Sequence, residues 1–245
     1  MKHIEVNKPY LGDCLEIMPL ITDKSIDMIL CDLPFGVTKN KWDIIIPLDE
    51  LWNQYNRIIK DNGAIVLFAQ GVFSAQLIMS NTKMYKYDLI YKKSNRTSGF
   101  LNANRQPLRN HEQILVFYKK QPTYNPQFTE GIPLHSKGIL SKGKQGVNNN
   151  YGQYDTSMDK RAGSTQKYPK SVLDFERPHP PIHPTEKPVK LCEWLISTYT
   201  NEGEVILDNC SGSGTTGVAA KNLNRDFILI EREEKYYNIG LDRLK

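Results

Sequence analysis

The sequence predicts an α/β fold built on a mostly parallel sheet with helices on both faces. Three observations predict it. Short apolar runs of strand length alternate with amphipathic stretches of helical period at both ends of the chain. Several runs are continuous rather than alternating, as strands buried on two faces are. The 245 residues suffice for one α/β domain with a full core and a modest insertion.

Residues 26–31 read as a buried strand ending at Asp32. Residues 48–59 place Leu48, Leu51, Trp52, Tyr55, Ile58 and Ile59 at helical spacing, and Asp61-Asn62-Gly63 follows as a turn signal. Residues 64–68 form a second buried strand and 73–80 a helix. Residues 87–92 and 113–118 read as strands flanking a polar loop. From 121 to 181 the pattern fails. That stretch is rich in Gly, Asn, Pro, Lys and Ser, with too few aliphatic residues for its own core. Irregular segments of such length inside a domain usually carry function. Order returns at Pro188, with a helix over 191–199, a strand over 204–208 and a helix over 214–223. A strand over 226–230 then ends at Glu231, and a helix over 233–244 closes the chain. The expected organisation is one domain over 1–245 with 121–181 as an irregular insertion.

Cys14, Cys31, Cys192 and Cys210 form no CxxC pair, so disulfide and metal readings are weak and a reducing compartment fits better. No residue is expected to bind metal. The first five residues carry no apolar leader, and no apolar run approaches the ~18 residues of a membrane span. The reading is a cytoplasmic protein. Between Lys83 and Arg177 the chain holds 17 Lys and Arg against 7 Asp and Glu, so its positive charge is concentrated there. The same stretch carries 12 of the 21 Phe and Tyr, and cations interleaved with aromatics suit phosphates and bases. A solvated basic face would account for the same residues.

Two turns carry chemistry. Asp208, Asn209, Cys210, Ser211, Gly212, Ser213, Gly214, Thr215, Thr216 and Gly217 follow a strand and open a helix, and Glu231 ends the next strand. Gly212-x-Gly214-x-x-Gly217 lets backbone approach a ligand, and an acid 19 residues after Gly212 can accept from ribose hydroxyls. Three ligands compete. A P-loop needs a lysine where Thr215 stands, which disfavours a nucleoside triphosphate. A dinucleotide dehydrogenase places this unit first, whereas only 14 residues follow Glu231 here. S-adenosylmethionine enzymes use a similar turn.

Asp32, Leu33, Pro34 and Phe35 follow a buried strand, where open α/β sheets face their ligand crevice. An exocyclic base amine is a poor nucleophile because its lone pair is delocalised into the ring. A carboxylate (Asp32) and a backbone carbonyl (Leu33 or Pro34) on a stiff turn could accept its hydrogens and free that lone pair. Phe35 could stack an extruded base. An ordinary strand-to-loop turn uses the same residue types.

Together these motifs resemble the amino-methyltransferases of restriction–modification systems and phages. Asp32-Leu33-Pro34-Phe35 is similar to their (Asp/Asn/Ser)-Pro-Pro-(Tyr/Phe/Trp) catalytic motif, with Leu33 departing from the usual proline. His183 through Pro188 resembles the segment at the methionine end of the cofactor, and Tyr10 through Cys14 the element near its adenine. The order of motifs is that of the permuted β group. The resemblance implies a Rossmann-like methyltransferase fold and S-adenosyl-L-methionine as cofactor. It implies transfer to adenine N6, with cytosine N4 as the alternative, because Asp rather than Ser opens the motif. Asp13, Cys14, Asp32, Thr185, Lys187, Asp208, Ser211, Gly212, Ser213, Gly214, Thr215 and Glu231 are the implied cofactor residues. Among them Thr185 and Lys187 would hold the cofactor carboxylate, Glu231 the ribose and Asp13 the adenine amine. Double-stranded DNA is the implied partner, with Arg96, Arg105, Arg109, Lys142, Lys144 and Arg161 as candidate contacts and 121–181 as the target-recognition region. His111 could also approach DNA. A homodimer and a cognate restriction endonuclease are left open. Carbon-5 cytosine methylation is excluded, since it typically uses a Pro-Cys nucleophile and no proline here precedes a cysteine. A nicotinamide dehydrogenase and a non-catalytic DNA-binding module are the readings from other classes.

Overall fold

The computed structural model describes residues 4–38, 40, 43–133, 146–148, 152–154, 163–182 and 186–245. These divide into two compact units, 1–125 with 171–245, and 126–170.

The first unit is an eight-stranded sheet with helices on both faces. In chain order it contains β1 (Lys8–Leu11), α1 (Cys14–Ile17), β2 (Ile26–Cys31), α2 (Leu48–Ile58), β3 (Ile59–Ala69), α3 (Val72–Ser80), β4 (Tyr85–Lys93) and β5 (His111–Phe117). The second unit holds β6 (Thr129–Glu130), β7 (Gly146–Asn148), β8 (Gly152–Tyr154) and β9 (Gln166–Lys167). The first unit resumes with β10 (Val172–Phe175), α4 (Val189–Tyr199), β11 (Val205–Asp208), α5 (Thr215–Asn222), β12 (Asp226–Glu231) and α6 (Glu234–Leu244). The sheet order is β1-β12-β11-β2-β3-β5-β4-β10. Neighbours run parallel except β5, which is antiparallel to both β3 and β4.

The continuous apolar strands are explained by two cores. Along β2, Ile26, Ile29 and Cys31 join one cluster with Leu51, Trp52, Tyr55, Phe73 and Leu77, while Met28 and Leu30 join the other with Leu191, Leu195, Ile196 and Ala219. Along β3, Ile65, Leu67 and Ala69 face the first cluster, and Ala64, Val66 and Phe68 the second. Side chains alternate between faces with period two, so a strand covered on both sides must be apolar throughout.

Two expectations need correction. The helix over 48–59 ends at Ile58, and Asp61-Asn62-Gly63 lies inside β3 rather than before it. The β2–β3 register passes from Ile26 opposite Ile59 to Met28 opposite Ala64, so the extra residues bulge outward and turn chemistry serves an irregular strand. The 121–181 stretch is also less irregular than its composition. Residues 171–175 form the edge strand β10 beside β4, and Asn125 is tied to the end of α4, its N–H donating to Thr198 O at 2.8 Å. Only Leu173 of β10 is buried, too little for a periodic signal. The remaining unit holds two small antiparallel pairs, with Phe128 and Tyr168 in ring contact at 5.0 Å.

The chain leaves β2 for α2 and β3 in one direction of the sheet and leaves β11 for α5 and β12 in the other. Crossovers on opposite faces open a crevice at the carboxyl ends of β2 and β11, where such sheets bind ligands. Asp32 and Asp208 stand at those ends.

Candidate active site

A cavity of about 370 Å³ lies in this crevice, within the range of small-ligand sites. Both turns line it: Asp32, Leu33, Pro34 and Phe35 on one side, and Asp208, Ser211, Gly212, Ser213 and Thr215 on the other. Asp13, Cys14, Lys187 and Glu231 line it too. Thr185 and His183 lie outside the described residues, as do Lys142, Lys144 and Arg161.

The glycine turn is braced by its own backbone. Asp208 Oδ1 accepts from Cys210 N–H at 3.1 Å and its Oδ2 from Thr216 Oγ1 at 2.6 Å. Burial pushes the Asp208 pKa up to about 6 against these bonds. Glu231 Oε2 accepts from Gly212 N–H and Oε1 from Glu233 N–H, both at 2.7 Å. Gly214 has φ +77°, and a Cβ there would meet Gly240 Cα at 3.1 Å. A Cβ on Gly217 would stand 2.6 Å from Leu229 Cδ1, so this third glycine allows α5 to approach β12. Arg243 Nη1 donates to Ser213 O and Oγ and to Thr215 Oγ1, and it pairs with Glu186 at 3.0 Å. At the adjoining β1–α1 turn, Asp13 Oδ1 accepts from Leu15 N–H at 2.8 Å, capping α1.

The Asp32 turn is braced by charge. Lys187 Nζ donates to Asp32 Oδ2 at 2.5 Å and stands 3.2 Å from Glu112 Oε2, an ion contact without hydrogen-bond geometry. Lys93 Nζ pairs with Glu112 Oε1 at 2.5 Å. Lys187 also sits over the Phe68 ring, 5.0 Å from its centroid. Two acids and two ammonium groups thus form a buried, balanced chain. Burial raises the Asp32 pKa, opposed by Lys187, whereas for Glu112 the two lysines outweigh burial and hold its carboxyl below the usual range. For Lys187 the two carboxylates outweigh burial and raise its pKa. Asp32 Oδ1 is buried with no hydrogen-bond partner among the described residues, and so is the Tyr91 hydroxyl, whose pKa burial raises to about 12. Beyond Pro34, the N–H groups of Gly36, Val37 and Thr38 donate to the Asp43 carboxylate at 2.6 to 3.0 Å, which fixes the exit of the turn. Phe35 stacks on Phe73 at 5.2 Å.

Motif reading brought Asp32, Lys187 and the glycine loop together but missed Glu112, Lys93 and Arg243. Glu112 stands beside His111 at the start of β5, and no local pattern announces a residue that acts on Asp32 from 80 positions away. The resemblance gives Lys187 to a cofactor carboxylate, and its ammonium also contacts Asp32 and Glu112. Arg96, Arg105 and Arg109 lie on the exposed β4–β5 loop, at the carboxyl edge of the sheet. Three of the cysteines, far apart in sequence, gather at one core, where Cys210 packs against the cluster that holds Cys14 and Cys31, while Cys192 lies in the other. Among the described residues no His, Cys, Asp and Glu group could hold a metal, and no helix is long and apolar enough to cross a membrane.

The chain is 28% identical to DNA adenine methyltransferase YhdJ of Escherichia coli (strain K12), over 95% of this chain and 81% of that one. The solved structure of M1.HpyAVI with SAM matches with TM-score 0.66 and 24% identity over 97% and 98% of the two chains. The structure of the cytosine-N4-specific PvuII DNA methyltransferase matches with TM-score 0.71 and 16% identity over 98% and 87%. These two likenesses establish the fold, a Rossmann-like methyltransferase sheet. A family model described as DNA methylase matches residues 26–242, most of the chain. The chain therefore belongs to the N6/N4 DNA methylase family.

Proposed function

We propose that this protein transfers a methyl group from S-adenosyl-L-methionine to the N6 amine of adenine in double-stranded DNA. The observation that carries the reading is the single cavity walled by Asp32-Leu33-Pro34-Phe35 on one side and the Ser211–Thr215 turn with Glu231 on the other. The Glu231 carboxylate and the Gly212 backbone it holds both line the cavity and suit a ribose and its adjoining chain. Asp13, which lines the cavity, takes the adenine amine in this reading, with Cys14, Ser211, Gly212, Ser213, Thr215 and Asp208 of the same lining as the rest of the cradle. When bound, S-adenosyl-L-methionine supplies an electrophilic methyl on a sulfonium, to which the amine nitrogen bonds as the carbon–sulfur bond breaks.

The chain's own residues prepare that nitrogen. Asp32 Oδ1, buried without a hydrogen-bond partner among the described residues, is an acceptor that an amine N–H would satisfy. A carbonyl of Leu33 or Pro34, stiffened by the proline, takes the second N–H. With both hydrogens held, the lone pair turns out of the ring plane, and Asp32 receives the proton the methylated amine sheds. Lys187 opposes the burial that raises the Asp32 pKa, and Glu112, itself paired with Lys93, contacts Lys187 from the other side. Phe35 offers a face to the extruded base. Adenine is favoured over cytosine by Asp32 at the first motif position and by the name of the YhdJ relative. Residues 121–181 are proposed as the target-recognition part, with Arg96, Arg105 and Arg109 of the β4–β5 loop as further contacts. Homodimerisation and a cognate endonuclease stay outside this proposal.

The test is incubation of purified protein with methyl-labelled S-adenosyl-L-methionine and mixed-sequence duplex DNA, followed by nucleoside mass spectrometry and methylation-sensitive sequencing. N6-methyladenine at one short motif is expected. Label found only in N4-methylcytosine would overturn the base assignment, and no transfer would overturn the reading.

A further inference from the structure

The β4–β5 connection, residues 94–110, leaves the sheet at its carboxyl edge. Lys92 lies opposite His111, Ala69 opposite Gln113, and Cys31 opposite Leu67, so the loop rises on the same side as Asp32. Ser98 and Arg109 pinch it with two backbone hydrogen bonds of 2.7 and 3.0 Å, and Ser98 itself lines the cavity. Beyond that neck the tip is an ordered turn. Asn102 N–H donates to Gly99 O at 2.9 Å, Ala103 N–H to Phe100 O at 3.1 Å and Arg105 N–H to Asn102 O at 2.8 Å.

This turn presents two adjacent large apolar side chains to solvent, Phe100 at 76% and Leu101 at 84% exposure. A single exposed apolar residue is ordinary. A pair on a hydrogen-bonded turn whose neck, at Ser98, lines the cavity is a feature. Its flanks are cationic: Arg96, Arg105 and Arg109 lie in residues 94–110, which hold no acid, whereas Lys92 is paired with Asp174 and Lys93 with Glu112. At the base of the loop a second cleft, lined by Lys93, Asn95, Arg96 and Asn110, adjoins the cavity through Lys93. Cations and amides at the base suit phosphate oxygens, and an apolar tip suits the space between base pairs.

We propose that Phe100 and Leu101 form a wedge that enters the base stack of duplex DNA as the target adenine leaves it. The proposal rests on the methyltransferase reading above. Extruding a base breaks its pairing and stacking, and an apolar side chain that fills the gap offsets part of that cost. The arginines flanking the tip anchor the backbone on either side of the gap. The wedge thereby couples DNA opening to the cavity beneath its neck.

The test uses the full chain with Phe100→Ala and Leu101→Ala combined, and two duplexes carrying the site mapped by sequencing. One pairs the target adenine normally, and the other sets it opposite an abasic position, which makes extrusion cheap. On the paired duplex the double variant should lose roughly tenfold to hundredfold in kcat/KM. On the abasic duplex it should approach the unaltered protein. Undiminished activity on the paired duplex would overturn the wedge, and so would an equal loss on both duplexes. Were the unaltered protein to methylate neither duplex, the methyltransferase reading would fall, and the wedge with it.

Discussion

The turn after β2 and the turn after β11 face each other across one cavity, yet they are held in place by opposite means. The β11 turn is braced largely by short-range bonds, to which Arg243 of α6 adds donors to Ser213 and Thr215. Asp208 reaches two and eight residues ahead, Glu231 closes onto Gly212, and glycines admit α5 and α6. The Asp32 turn takes its bracing from Lys187, Glu112 and Lys93, which come from two other strands and from the approach to α4. Glycine geometry is cheap and insensitive to pH. A buried charge chain holds a carboxylate ionised and directional, but it fails badly when one member is lost, because the remaining charge has no water to turn to. A cradle needs only shape, whereas a proton acceptor needs its charge state fixed, and each wall has the bracing its task requires.

The comparison breaks most sharply at Asp32. Asp32→Ala should lower kcat roughly 10²- to 10⁴-fold while S-adenosyl-L-methionine still binds, since the opposite wall is untouched. Near-normal turnover in single-turnover assays would remove Asp32 from the mechanism.

The second effect is on the charge chain. Glu112→Gln leaves two buried ammonium groups facing one carboxylate, at a cost of about 3–5 kcal/mol of stability. Adding Lys93→Met restores balance, so the double variant should be more stable in denaturant titrations than Glu112→Gln alone. A single variant as stable as the native chain would show that the chain is not energetically connected. The same variant has a pH signature. Asp32 works ionised, so activity is lost as pH falls through its pKa. Glu112, a nearby negative charge, raises that pKa. Removing it favours the ionised form, so the acid limb of the kcat profile of Glu112→Gln should move to lower pH. A limb that moves upward would contradict the arrangement.

The same contrast explains what could be read from the sequence. The β11 turn was legible because its parts lie close together: Gly212, Gly214, Gly217 and Glu231 fall at spacings that strand–turn–helix geometry imposes. The buried strands were legible for a similar reason, since cover on both faces forces continuous apolar runs. Glu112 and Lys93 were not, because only the pairing of β4 with β5 brings Lys93 to Glu112, and Lys187, which Glu112 also contacts, lies 75 residues further on. The Asp61-Asn62-Gly63 bulge misled because turn residues serve irregular strands as well as turns. β10 escaped because an edge strand with one buried side chain carries almost no periodicity.

The smallest expected effect tests the steric wall. Gly217→Ala gains helix propensity, worth up to about 1 kcal/mol, but its Cβ would stand 2.6 Å from Leu229 Cδ1 and 3.2 Å from Leu244 Cδ2. Leu229 is fully buried against β11, so it cannot swing away without opening the core beside it. Overpacking of this kind costs about 1–3 kcal/mol, leaving a net loss of about 1 kcal/mol and a Tm lower by about 2–4 °C for a chain of this size. Gly214→Ala should cost more, because φ +77° strains any Cβ and the neighbour it meets is Gly240 backbone rather than a side-chain tip. Calorimetry on the two variants, with and without S-adenosyl-L-methionine, gives the order. Both losses should persist unchanged from pH 7 to pH 8, above the Asp208 pKa of about 6, unlike the kcat shift of Glu112→Gln. If Gly217→Ala proved neutral or stabilising, the close approach of α5 to β12 would have slack, and the glycine turn would owe its shape to hydrogen bonds alone.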